Sequence, residues 1–237
     1  MTWRSALVTG GSSGIGAALA LELGSMGCEP VLVGRDAGRL AAVARRSSGR
    51  ALVADLTDPA GLDRVAAAAA ETDLLINNAG LGCAAPLSAM SDELVDELVA
   101  LNLTAPLQLT RAALPGLARR GGQVGFVSSI AVVGVRQEAV YAATKAGLRA
   151  FAASVAHEGV PVTTVFPGVV DTRFFDRRGA YTRRRPRPVP PERVAHVLLR
   201  ALAEGTAEVF VPSWLGFAAR AQGALPATFH RLARRFG

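Results

Sequence analysis

Lysine is nearly missing from this chain. One lysine, Lys145, stands against 25 arginines, so cationic surface and ion pairing fall almost wholly to arginine. The two side chains are not equivalent: lysine is a compact point charge with three donors, arginine a planar fork. A composition that avoids lysine elsewhere marks residue 145 as a place that needs a small ammonium. Cysteine is scarce as well. Cys28 and Cys83 alone build no disulfide framework. Cys28, beside an apolar strand, reads as a small core residue, and Cys83 as a packing residue in a loop. The histidines His157, His196 and His230 lack metal-ligand spacing, so no metal is expected, and His157 reads as a surface residue at a helix end. Aromatics make up only 5% of the residues, which leaves few platforms for base stacking. The arginines are also spread over the whole chain. A nucleic-acid partner is therefore not expected, despite a net charge of +7. The Ala-rich stretch 65–70 is too short to span a bilayer. A strand-like run begins at Ser5 with no basic and apolar signal segment before it. The expectation is a cytoplasmic protein.

Half of the residues are hydrophobic and 19% are charged, a balance that suits a packed core rather than disorder. Short apolar runs fall at 5–9, 30–34, 51–54, 74–76, 123–128, 160–166 and 208–211. They are nearly continuous, as strands covered on both faces should be. Helical segments lie between them at about 14–27, 36–47, 59–71, 91–118, 138–158 and 190–204. This alternation predicts βαβ units and a doubly wound α/β fold on a parallel sheet. Ligands of such sheets bind at the carboxyl ends of the strands. No internal repeat or linker divides the chain.

The first strand runs into Thr9-Gly-Gly-Ser-Ser-Gly-Ile-Gly16, which opens a helix. Glycine lets backbone approach a ligand closely, and a helix N-terminus favours phosphate. Tyr141 precedes Lys145 by four residues, which places both on one helix face. Other landmarks follow in order: Asn77-Asn-Ala-Gly80, Asn102 in Leu-Asn-Leu-Thr, Ser128-Ser129, and Pro167-Gly-Val-Val-Asp-Thr172. With these residues the chain, over about 4–212, resembles the single-domain short-chain dehydrogenases/reductases. The resemblance implies a Rossmann-like sheet of seven parallel strands, order 3-2-1-4-5-6-7, with helices on both faces. It implies one domain over 1–212 and an NADP(H) cofactor.

The resemblance also implies roles. Gly10, Ser12, Ser13, Gly14, Ile15 and Gly16 would cradle the pyrophosphate. Asp55 and Leu56 would hold the adenine, and Asn78, Ala79 and Gly80 would line the middle of the cofactor. Pro167, Gly168, Val170 and Thr172 would hold the nicotinamide end. Tyr141 would be the general acid in carbonyl reduction, with Lys145 lowering its pKa and binding ribose hydroxyls. Asn102 would hold a water linking Lys145 to solvent. A serine would polarise the carbonyl. Counting along the fifth strand selects Ser129; counting back from Tyr141 selects Ser128. Ser129 is preferred, because a loop deletion disturbs less than a slipped strand.

The second strand ends at Gly34-Arg35-Asp36. An arginine there suits the 2′-phosphate of NADP, a carboxylate the hydroxyls of NAD. Arg35 comes first and Asp36 is placed to cap the next helix, so NADPH is expected, with Ser12 as a hydroxyl partner. The link at 157–160 looks one helical turn short.

Residues 173–191 stand where the family carries its substrate lid. Seven arginines fall between 173 and 187, and either a solvated loop or an anionic substrate accounts for them. Phe174, Phe175 and Tyr181 read as cover for an apolar substrate. The extension 213–237 mixes Trp214, Leu215, Phe217, Leu225, Phe229, Leu232 and Phe236 with arginines. Packing on its own or a partner subunit is preferred over a membrane surface. The resulting expectation is an NADPH-dependent ketone or aldehyde reductase, a homodimer or homotetramer acting on a small carbonyl or alcohol. A non-catalytic dinucleotide sensor on the same fold is the alternative.

Overall fold

The computed structural model describes residues 3–179, 187–227 and 231. The seven apolar runs form strands β1 Ser5–Thr9, β2 Glu29–Gly34, β3 Arg50–Val53, β4 Leu74–Asn77, β5 Gln123–Val127, β6 Val162–Pro167 and β7 Glu208–Val211. They make one sheet in the order β3-β2-β1-β4-β5-β6-β7. Every pairing is parallel. The order reverses between β1 and β4, which opens a crevice beyond their carboxyl ends.

Nine α-helices accompany the sheet among the described residues: α1 Gly14–Ser25, α2 Ala37–Arg46, α3 Pro59–Ala69, α4 Asp92–Val99, α5 Ala105–Arg120, α6 Ala139–Val155, α7 Phe174–Arg178, α8 Pro191–Glu204 and α9 Leu215–Ala224. Local chemistry sets several boundaries. The side chains of Asp36, Asp58 and Ser91 accept from Arg39 N, Gly61 N and Leu94 N and so start α2, α3 and α4. Gly121 and Gly205, at φ +64° and +69°, close α5 and α8.

Alternation along the strands divides the core. Ala6, Val8, Leu32, Leu74 and Ile76 face a layer of α1, α2 and α8. Leu7, Val31, Leu75, Val124 and Phe126 face α3, α5 and α6. Both faces are covered, which is why the strands carry no polar alternation.

Two helical expectations are refined. The segment read as one helix over 91–118 holds a π-helical turn, Ala100–Thr104, between α4 and α5. The wider turn carries Asn102 into the interior, where it is 0% exposed. The segment read as 138–158 is α6 followed by a 3₁₀ turn, Ala156–Glu158, closed by Gly159 at φ +84°. That tight ending makes the short link to β6, and His157 is exposed.

Of the extension, α9 lies against the β7 end of the sheet. Leu215 is buried, and Gly216 sits on the Phe210 ring. Phe217 and Leu225 are exposed. No helix of the described residues is long and apolar enough to cross a membrane. Tyr181, Phe229, His230, Leu232 and Phe236 lie outside the described residues.

The crossing of β1 and α1 tolerates little change. A Cβ on Gly16 would stand 2.2 Å from the Gly10 carbonyl oxygen and 2.6 Å from Asn78 Nδ2. Gly16→Ala should therefore destabilise the fold by about 1–3 kcal/mol. Urea unfolding should show a lower midpoint with an unchanged slope.

Candidate active site

One cleft of about 830 Å³ runs along the carboxyl edge of the sheet. All of the expected site residues line it except Gly16 and Asn102, which stand behind its wall. At its floor the β1 turn is packed against the end of β4. Thr9 Oγ1 accepts from Asn78 N at 2.9 Å and Ala79 N at 3.0 Å, and Asn78 Nδ2 donates to Thr9 O at 2.8 Å. Gly10 and Gly14 have φ of +68° and +53°, a region that costs other residues strain. A Cβ on Gly14 would also lie 2.9 Å from Thr172 Cγ2. The backbone therefore approaches the cleft without side chains in the way, and α1 begins there.

The end of the cleft beside β2 is charged. Arg35 Nη1 lies 3.4 Å from Asp55 Oδ2 and 3.8 Å from Glu97 Oε1. Burial pushes the Asp55 carboxyl up, but hydrogen bonds from Thr57 N and Oγ1 and the Arg35 charge hold it below its usual value. Asp36 does not line the cleft. It caps α2 and pairs with Arg39 Nε at 2.7 Å. Arg39, which the sequence reading did not single out, does line the cleft. Its place one turn into α2 was the available signal.

At the other end, α6 and the end of β5 bring three groups together. Ser129 faces the Tyr141 hydroxyl and pulls its pKa down. The Ser129 Oγ accepts from Ala131 N at 3.1 Å. Ser128 is buried and donates to Lys145 O at 3.2 Å, so it faces the helix and not Tyr141. Lys145 Nζ donates to Val127 O at 3.0 Å and lies 5.8 Å from the Tyr141 ring centre. Asn102 pins the segment after β4: Oδ1 accepts from Leu81 N and Nδ2 donates to Leu81 O, both at 2.8 Å. A Cβ on Gly80 would crowd Asn102 Oδ1 at 3.3 Å and Lys145 Nζ at 3.5 Å, which accounts for glycine there.

The titration behaviour differs from the expectation that Lys145 draws the phenol toward neutrality. Burial pushes Tyr141 up to about 12, against the opposing pull of Ser129. Burial also pushes Lys145 down to about 8. Desolvation is the largest cause of both shifts, because the ammonium is itself taken from water.

Helix α7 covers this end. The Phe174 ring is 5.8 Å from that of Tyr141 and packs over Gly82. Arg178 pairs with the buried Glu138, and Arg173 pairs with Asp176 at 3.1 Å. Nothing in the sequence pattern pointed to Glu138. Among the described residues no group of histidine, cysteine and carboxylate side chains is arranged to hold a metal.

The family model described as short chain dehydrogenase matches residues 4–181, and the chain belongs to that family. It is 33% identical over 181 residues to 3-oxoacyl-(acyl-carrier-protein) reductase FabG of Escherichia coli (strain K12), covering 71% of this chain and 74% of that one. A short-chain dehydrogenase from Sphingobium yanoikuyae in complex with NADPH superposes with a TM-score of 0.84 at 28% identity, over 94% of this chain and 95% of that one. A bulky-bulky ketone specific alcohol dehydrogenase from Comamonas testosteroni superposes at 0.80 with 26% identity, over 96% and 95%.

The buried ammonium has a measurable consequence. Between pH 8 and 10.5 the unfolded chain holds the Lys145 proton that the folded one has lost, so stability rises with pH there. Below pH 8 the full cost applies, about 3 kcal/mol. Lys145→Met removes that cost and the bond to Val127 O, worth about 1 kcal/mol. The variant should be more stable at pH 7 by about 2 kcal/mol. Urea unfolding should show that gain shrinking between pH 8 and 9.5.

Proposed function

We propose that this protein is an NADPH-dependent reductase of ketones or aldehydes. The observation that carries the reading is the Tyr141 hydroxyl, facing Ser129 beside a buried Lys145, at the wall of a cleft whose far end is a turn with glycines at positions 10 and 14, where a Cβ would clash. The cleft volume suits a cofactor ligand, for which roughly 300–1,000 Å³ is usual. Bound there, a nicotinamide dinucleotide supplies a hydride to a carbonyl carbon.

The chain's residues supply the rest. Gly10 to Gly16 and the start of α1 hold the pyrophosphate. Lys145 binds the ribose hydroxyls. Ser129 donates to the carbonyl oxygen as it gains charge. Tyr141 delivers the proton to that oxygen. A phenol near 12 is fully protonated at pH 7 and remains a far stronger acid than an alcohol, so the transfer runs downhill.

Two features support NADPH over NADH. Arg35 and Ser12 line the cleft at the end of β2, and Asp36 is turned away to cap α2. The relative from Sphingobium yanoikuyae is described with NADPH. For the substrate, Leu81, Val135, Phe174, Phe175 and Trp214 make an apolar end. Arg173 and Arg178 carry carboxylate partners, so neither presents a free charge. This supports a neutral, apolar carbonyl over an anion, with α7 as its cover.

Tyr141→Phe should lower kcat by about 10²–10⁴-fold while NADPH affinity, followed by nicotinamide fluorescence, is kept. Full turnover in that variant would remove the assignment. Arg35→Ala should weaken NADPH by about 10- to 100-fold, the value of a charge-assisted contact, and leave NADH unchanged. Equal losses for both nucleotides, measured by titration calorimetry, would refute the 2′-phosphate role.

A further inference from the structure

Glu138 is a buried carboxylate that the reaction does not use. It opens α6, one turn before Tyr141, and its side chain is 5% exposed. Its ion-pair partner is Arg178, the last residue of α7. That arginine is itself held on three sides. It lies 5.3 Å over the Phe175 ring, its carbonyl accepts from Ala84 N at 3.2 Å, and its guanidinium meets Glu138. The rest of α7 reaches the same place through Phe174, which packs on the Tyr141 ring and over Gly82. The pair therefore joins the covering helix to the turn that carries the phenol.

We propose that Glu138–Arg178 is a latch that seats α7 over the substrate and positions the Tyr141 hydroxyl. Arg178 is a positioning residue in this role, not a catalytic one, and the proposal rests on Tyr141 being the proton donor. Closing the latch presses Phe174 on the phenol ring and excludes water from one side of it. It also pairs a carboxylate whose charge otherwise falls on the phenol alone. Glu138 raises the Tyr141 pKa and Arg178 lowers it, so pairing offsets part of the carboxylate's effect on the phenol. The other charged groups at this end are Lys145 on α6, Arg136 before it, and the Arg173–Asp176 pair on the outer side of α7. The ion-pair partner of Glu138 is Arg178. Opening the latch leaves the carboxylate buried without its countercharge, which disfavours the open state. Substrate entry therefore works against the pair, and closure is favoured once the substrate is seated.

The test uses the full chain with NADPH and a neutral aromatic ketone. Arg178→Ala should lower kcat by about 10²-fold, the effect of a small displacement of a reacting group. It should also enlarge the solvent deuterium isotope effect on kcat and leave the NADPH dissociation constant unchanged. Glu138→Gln/Arg178→Gln, which replaces the ion pair with an amide pair, should recover most of kcat and the original isotope effect. Arg178→Lys keeps the charge and serves if Arg178→Ala does not fold; it should fall between wild type and the alanine variant. A rise in KM alone, with kcat and the isotope effect unmoved, would overturn the latch and leave Arg178 as a substrate contact. Failure of the double variant to exceed Arg178→Ala would also overturn it. The underlying reading fails separately: Tyr141→Phe would then turn over normally, whatever the Arg178 variants do.

Discussion

The site depends on one ammonium held almost out of water by a single carbonyl. Lys145 is 4% exposed and donates to Val127 O at 3.0 Å. Its own carbonyl takes a bond from Ser128 Oγ, so α6 and the end of β5 are tied in both directions. One residue back, Thr144 Oγ1 donates to Tyr141 O and accepts from Asn102 Nδ2. Asn102 in turn holds Leu81 by two bonds. Four elements are thus joined through polar groups that have no water to compete with. Such a network is rigid when every member is satisfied, and a single unmet partner is costly. The ammonium is the least favourable member by desolvation and the one with chemistry to offer. Stability has been given up where function needs a charge, a pattern expected of active sites.

Much of this was legible because the strand–helix alternation and the Gly-rich turn are local properties, while the strand order came with the resemblance to the family. Period, strand length and the run from Thr9 to Gly16 locate the crevice before any coordinate is known. The pairing of Tyr141 with Lys145 was legible for the same reason, since four residues on a helix share a face. What was not legible depends on contacts between distant segments. Arg178 meets Glu138 across 40 residues, and no spacing rule links an arginine-rich loop to one buried carboxylate. The π-helical turn at Ala100–Thr104 left no trace either. It inserts into a continuous helical run whose apolar period looks unbroken, and the reason for it, Asn102 reaching Leu81, is tertiary. Desolvation was the third omission. Proximity of Lys145 predicts a lowered phenol, but burial acts on both partners and dominates.

Seven of the described arginines are ion-paired. Arg35 meets Asp55 and Glu97, Arg39 meets Asp36, Arg149 meets Glu208 and Arg173 meets Asp176. Such exposed pairs stabilise little; their effect is to neutralise. Within the cleft, Arg35, Arg39, Arg173 and Arg178 each have a carboxylate partner. At the β2 end of the cleft this bears on the proposed nucleotide specificity. An arginine already held by carboxylates reaches a phosphate only by exchanging partners, so discrimination between nucleotides is the difference between two anions and not the strength of one contact.

At the substrate end the same pairing has another use. Glu138 and Arg178 act on the phenol with opposite sign, and the arginine belongs to the covering helix while the carboxylate belongs to α6. The field at Tyr141 is consequently a function of lid position. With the lid seated, an apolar wall and an ion pair surround a protonated phenol, the condition that proton delivery to a carbonyl oxygen requires. With the lid displaced, water and an uncompensated carboxylate replace them. A covering helix of five residues is too short to hold itself in place by propensity. Its seat must come from tertiary contacts, and the strongest of these lands one turn from the reacting hydroxyl.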